Sequence, residues 1–150
     1  MHIQTPVAPC SIVPGTVQFE RFLTNRFLPR LFSHDYCRAE FNVYAYADRY
    51  LADYDGAEWH FVAFSQYGGG FMKPDVEHAH FINPDNGTNL WLSAEAAGII
   101  ITALVLYHRS FMYDRHDEEE LYAHFSLRHR QLMTFASSHP EATAIFCALD

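Results

Sequence analysis

Residues 59–74, WHFVAFSQYGGGFMKP, constrain the fold more than any other stretch of this 150-residue chain. Trp59, Phe61, Val62 and Phe64, aromatic or β-branched, read as one arm of a β-hairpin. Phe71 and Met72 make the return, and the glycine run between them makes the reversal, because glycine reaches positive φ without steric cost. A phosphate-cradling loop would need a helix N-terminus directly after the glycines. Pro74 follows instead, and no helical run does. Trp59, Phe61 and Ala63 fall on one face of the arm and His60, Val62 and Phe64 on the other. Both faces are rich in apolar groups, as in a sheet that helices pack around.

The remaining elements follow from punctuation and periodicity. Pro6, Pro9, Pro14 and Gly15 mark 1–16 as an irregular N-terminal arm, ahead of a single domain over 17–150. Thr16 is expected to cap a helix over 17–28, with Phe19, Phe22, Leu23 and Phe27 as its stripe and Pro29 as its stop. A second helix is expected from about 33–35 to Tyr54, ended by Gly56. Strands follow at 58–65, 70–73, 78–82 and 89–92, joined by short links, one of them the turn-forming Asn83-Pro84-Asp85-Asn86-Gly87, so the sheet should be antiparallel. Ser93 then caps a helix over 94–113 that is apolar nearly all round and therefore central, with Gly98 permitting close approach to the sheet. Asp117 and Glu120 resemble a capping box for a helix reaching Ser138, and Pro140 opens a short last helix over 141–149. Runs of strands among runs of helices predict α+β: helices packed around a small antiparallel β-sheet.

Charge narrows the function. Eighteen acidic residues stand against ten basic ones, a formal net charge of −8. General binding to a phosphate backbone relies on clustered Lys and Arg and is not expected. An acidic DNA mimic is an alternative, but it must match about one negative charge per 1.7 Å of duplex axis, which these acids do not reach over the whole surface. Three widely spaced cysteines form no metal-binding or disulfide pattern. No charged and apolar leader opens the chain, and the longest apolar stretch, about 94–107, is shorter than the ~20 residues that span a bilayer. A reduced, cytoplasmic protein without membrane contact is expected.

Catalytic signatures are lacking. His78 and His80 would share one strand face, a possible metal pair that Asp75 or Glu77 could complete, which keeps a metal-dependent hydrolase as a further alternative. No metal-binding motif of recognised spacing accompanies them, and surface or core histidines are the preferred reading. His108 and His129 lie on apolar stripes and read as core histidines. Cys37 has no local signature of a nucleophile. Neither catalytic residues nor a cofactor are expected. The acidic run 114–120 reads as a solvated helix start whose acids suit the dipole.

Several runs then resemble one family in register. FLPRLF at 27–32, Glu40 with Val43-Tyr44-Ala45, DYDGAEWHF at 53–61, Gly69-Gly70-Phe71 through Met72, Pro74 and Asp75, SAEAAGII at 93–100 and HPEATAIFCALD at 139–150 are similar to segments of the KlcA/ArdB antirestriction family. Ala57 stands where the family has the second glycine of a pair, and the hairpin tip is one residue longer. The resemblance implies a compact mixed fold and a non-enzymatic protein that relieves type I restriction of incoming DNA while sparing modification. The implied partner is the type I restriction–modification complex, reached directly or indirectly. Family-matching residues that a core role does not fully explain are the candidate interaction positions: Glu40, a charge amid an aromatic helix; Trp59, a large ring beside acids; Ser93, a helix cap; and Asp150, at the chain end.

Overall fold

In the computed structural model the described residues are 16–19, 24–64 and 68–150. Six strands and five α-helices follow in the order β1 (Thr16–Phe19), α1 (Thr24–Phe32), a 3-10 turn (Ser33–Asp35), α2 (Tyr36–Tyr50), β2 (Leu51–Ala52), β3 (Trp59–Phe64), β4 (Gly70–Pro74), β5 (His78–Asn83), β6 (Thr88–Ser93), α3 (Ala94–Arg115), α4 (Glu119–Ser137) and α5 (Ala142–Leu149). The fold is α+β, with every strand pair antiparallel. The strands divide into two three-stranded sheets, ordered β1-β3-β4 and β2-β5-β6, rather than one. The expected hairpin is present: Trp59 pairs with Pro74 and Ala63 with Gly70. Residues 65–67 at its tip, and 1–15 of the expected arm, lie outside the described residues.

Helix α3 is the organising element. It packs against α2, α4, α5 and strands β4, β5 and β6, and every residue from Ala94 to Leu106 is buried. Its N-terminus is capped as expected, with Ser93 Oγ accepting from the Ala96 N–H at 3.1 Å. Gly98 permits the close approach: a Cβ there would collide with the Met72 carbonyl oxygen and lie 2.9 Å from Lys73 Cα. One turn on, Thr102 Oγ1 accepts from the Met72 N–H at 3.0 Å. β4 is an edge strand, and an edge leaves backbone donors unpaired. Gly98 lets α3 reach that edge and Thr102 satisfies it. At 22 residues α3 is longer than the apolar stretch read from sequence and could span a bilayer by length and composition, yet 72% of its most apolar window is buried inside the fold.

Some elements differ from expectation for local reasons. Thr16–Phe19 is a strand, paired with β3 from Thr16↔Phe64 to Phe19↔Phe61, not a helix. The helical spacing there loses to a partner some 45 residues away in sequence. α1 starts at Thr24 and runs through Pro29 to Phe32. Proline removes one helical N–H, a loss set against burial of Phe27, Leu28, Leu31 and Phe32. α2 ends at Tyr50, because Leu51 and Ala52 pair with Phe81 and His80 of β5. Asp117 is not the cap of α4. It sits at φ +57, with its N–H on the Asp114 carbonyl and the Glu118 N–H on the Tyr113 carbonyl at 2.9 Å. That pattern closes the C-terminus of α3 as a Schellman motif with Asp in the usual glycine place.

Candidate functional site

The four residues singled out by sequence fall into two clusters. The first ties α2 to β3. The Tyr44 hydroxyl donates to Glu40 Oε2 at 2.6 Å, the Tyr44 ring lies 5.9 Å from Trp59, and the Trp59 indole N–H donates to the Tyr54 hydroxyl at 3.0 Å. Glu40 is half-buried, and Trp59 is 1% exposed. The Trp59 ring therefore belongs to the core and presents nothing to a partner; its amphipathic indole joins the core on one side and a hydroxyl on the other.

The second cluster ties the C-terminal segment to β6 and the start of α3. Ser93 donates from its N–H to Glu141 Oε1 at 3.1 Å and from its hydroxyl to Glu141 Oε2. Asn86, in the β5–β6 turn, donates from Nδ2 to the carbonyls of Ala148 and Asp150 at 3.2 and 3.1 Å. Ser93 and Asp150 thus anchor opposite ends of one latch, closed by the backbone of the chain end; the Asp150 residue itself is exposed.

Beneath the latch lies a pair that sequence reading passed over. His139 and Glu95 are both buried, 2.9 Å apart from Nε2 to Oε1. The Glu141 N–H donates to His139 Nδ1 at 3.0 Å. An imidazole nitrogen that accepts carries no proton, so the proton sits on Nε2 and is given to Glu95. Glu95 Oε2 is buried without a hydrogen-bond partner. The sequence marked Glu95 only as a first-turn acid, because its partner lies 44 residues away.

A third network joins α3 to the α1–α2 junction. Asp35 accepts from the Tyr113 hydroxyl at 2.6 Å and from Arg109 at 2.7 Å. Burial pushes the Asp35 carboxyl up, but these two donors and the charges of Arg109 and Arg38 outweigh it, leaving it below the ordinary carboxylate value. Burial and the bond to Asp35 push the Tyr113 hydroxyl up to about 12. Both directions favour the bonded pair between the two extremes. The stability from Asp35 is present above its unfolded value and lost as pH falls through its lowered one. That from Tyr113 is present below 10 and lost on the way to about 12. Tyr113→Phe should cost about 1.5–3 kcal/mol, the scale of a hydrogen bond to a charged group, and move the acid limb of unfolding to higher pH; urea midpoints across pH check both.

A cleft of about 540 Å³ adjoins this network, lined by Cys37, His34 and His116 among others. Asp35 also lines it but is already engaged by Arg109 and Tyr113, so it does not orient an imidazole toward Cys37. The histidines expected elsewhere are placed differently. His108 is exposed and bonds the Tyr46 hydroxyl at 2.8 Å, not a core residue; His129 is half-buried beside Tyr107. His78 is exposed, while His80 bonds Asn89 and stacks on Trp91. Among the described residues no three His, Cys, Asp or Glu side chains converge as a metal site.

The acids of 114–120 are exposed at the α3–α4 turn, and Asp53, Asp55, Glu58, Asp75 and Glu77 at the links around β3 and β4. Asp35, Glu40, Glu95 and Glu141 are engaged by internal partners.

Comparison with known proteins places this architecture. The model of a family described as "Antirestriction protein" matches residues 52–150. YubI of Escherichia coli strain K12 is 38% identical over 137 residues, 91% of this chain and 96% of its own length. The antirestriction protein KlcA of Escherichia coli is 34% identical over 151 residues, covering all of both chains. A solved structure from work on KlcA and ArdB superposes with a TM-score of 0.77 at 32% identity, over 99% of this chain and 100% of the other. That work describes a novel fold and antirestriction activity against type I DNA restriction systems in vivo but not in vitro. With about two thirds of its length matched by the family model and a curated relative aligned end to end, the chain belongs to the antirestriction protein family.

Proposed function

We propose that this protein relieves restriction of incoming DNA by type I systems while leaving modification intact. It acts in the cytoplasm on the restriction machinery, directly or through a further protein, and has no catalytic chemistry of its own. The end-to-end likeness to KlcA carries the reading, since it spans every element of the fold and not one shared motif.

Two features favour a protein target over imitation of DNA. A mimic must spread charge at duplex spacing, whereas Asp35, Glu40, Glu95 and Glu141 serve internal contacts. The exposed acids are grouped and not evenly spaced: Asp53, Asp55, Glu58, Asp75 and Glu77 gather on two bonded links, a second group lies in 114–120, and Asp48, Asp85 and Asp150 stand apart in sequence. The His139–Glu95 pair resembles a catalytic dyad in composition, but it is sealed in the core with both imidazole nitrogens engaged and so is not offered to a substrate.

The test is the plating efficiency of unmodified phage on a type I restricting host, with and without the protein expressed. Plating should rise by orders of magnitude toward that on a non-restricting host. No rise in several type I hosts, with soluble protein confirmed, would remove the assignment.

A further inference from the structure

Among the described residues Trp91 is a largely exposed ring that lines a groove. It is 69% exposed on β6, directly opposite His80 of β5 in the strand register. The two rings stack, with centroids 4.4 Å apart and planes 16° from parallel, and His80 is itself held by Asn89. The indole is therefore a braced platform on the open face of the sheet, not a loose side chain. Beside it lies a groove of about 160 Å³, walled by Leu51, Asp53, Tyr54, Val76 and His78. That is smaller than the ~300 Å³ at which small-molecule sites begin, and suits a single side chain.

The charge around the groove is one-sided. Asp53 lines it, and Asp55, Glu58, Asp75 and Glu77 are exposed on the two links that frame it. Those links are held together by the Asp75 N–H on the Glu58 carbonyl at 2.7 Å. Among the described residues no Lys or Arg lines the groove. Tryptophan is the best aromatic partner for a cation, and guanidinium both stacks on a ring and forks onto a carboxylate. Nucleic acid fits worse, because its phosphates would meet the acids even if a base stacked on Trp91.

We propose that this groove docks an arginine side chain of a protein partner, the guanidinium pairing with Asp53 beside the stacked Trp91 and His80 rings. The choice of a protein partner rests on the protein-directed reading above; the arginine pocket rests on the groove.

Fluoresceinyl-Gly-Arg-Gly-Arg-Gly-amide, labelled at its N-terminal amine, its lysine and citrulline counterparts labelled at the same place, and a fluorescein-labelled oligothymidylate are titrated against the full chain and followed by anisotropy. The arginine peptide should bind about five-fold tighter than the lysine peptide, the scale of a guanidinium forked onto a carboxylate, and the citrulline peptide should not bind. Trp91→Ala and Asp53→Asn should each weaken binding about five-fold or more with unchanged thermal midpoints. Trp91 is exposed, and asparagine tolerates the positive φ of 64° that Asp53 adopts. The double variant Glu119→Gln/Glu120→Gln, which removes exposed charge remote in sequence from the groove, should leave binding within about two-fold. Equal weakening by that control would reduce the effect to net charge and overturn the pocket. So would tighter binding of the oligothymidylate than of the arginine peptide, or no arginine-peptide binding. In restricting cells Trp91→Ala and Asp53→Asn should lose relief. Failure of the wild-type protein in those cells would instead strike the antirestriction reading, leaving the peptide result to judge the groove.

Discussion

Replacing Gly98 by leucine will leave the protein unable to reach its native packing. α3 rests on the edge of β4 with no room for a side chain, since even a Cβ would overlap the Met72 carbonyl and crowd Lys73 Cα at 2.9 Å. The obstacle is backbone on both sides, so no rotamer change relieves it. Separating the two elements would also pull Thr102 from the Met72 N–H and expose a strand edge. Gly98→Ala gains about 1 kcal/mol of helix propensity, but the overlap should outweigh this, with overpacking costs of about 1–3 kcal/mol. The leucine variant should lose still more and accumulate in the insoluble fraction. Urea midpoints of wild type and Gly98→Ala check the account: a stabilised alanine variant would show that the approach of α3 to β4 is not as tight as described.

The second large effect lies under the C-terminal latch. Glu95 and His139 are sealed together, and Glu95 Oε2 has no hydrogen-bond partner. Removing the imidazole leaves the buried Glu95 carboxyl without its hydrogen-bond donor, at a cost of about 1–3 kcal/mol or more where the group is charged. His139→Leu should therefore be destabilising. It would also release the Glu141 N–H and loosen the carboxylate that holds Ser93. The double variant Glu95→Leu/His139→Leu should recover much of the loss, because no carboxyl is then buried without a donor. A double variant less stable than His139→Leu would contradict this reading, and would mean that the pair contributes net stability beyond cancelling its own burial.

Elements governed by local signals were legible in the sequence. The glycine run set the hairpin, Asn83 to Gly87 set the β5–β6 turn, Ser93 capped α3, and a helix apolar on every side was buried on every side. Elements decided by distant partners were not. The 3-4 spacing of Phe19, Phe22, Leu23 and Phe27 suggests a helix, yet Thr16–Phe19 is held by the ladder to β3. Leu51 and Ala52 continue the stripe of α2 but are drawn off by β5. The division into two sheets follows from those same pairings.

The candidate positions divide the same way. Ser93 was readable as a cap, but its second partner, Glu141, comes from 48 residues on. Trp59 and Trp91 each sit in a strand, and alternation alone does not tell which ring is covered. Burial separates them: Trp59 is closed off beneath Tyr44 and Tyr54, and Trp91 is open. Exposure also removed His108 from the core and put His139 there, although His108 lies on the more regular stripe.

The central claim is that restriction is blocked while modification continues, because the target is protein and not the DNA-binding cleft. The direct measurement is a second passage. Phage that escape restriction in cells making this protein are replated on the same restricting host without it. Protected progeny, plating at nearly full efficiency, are the predicted result, since the methyltransferase has worked throughout. Progeny restricted as severely as unmodified phage would show that modification was blocked as well, the outcome expected of a DNA mimic, and would contradict the account.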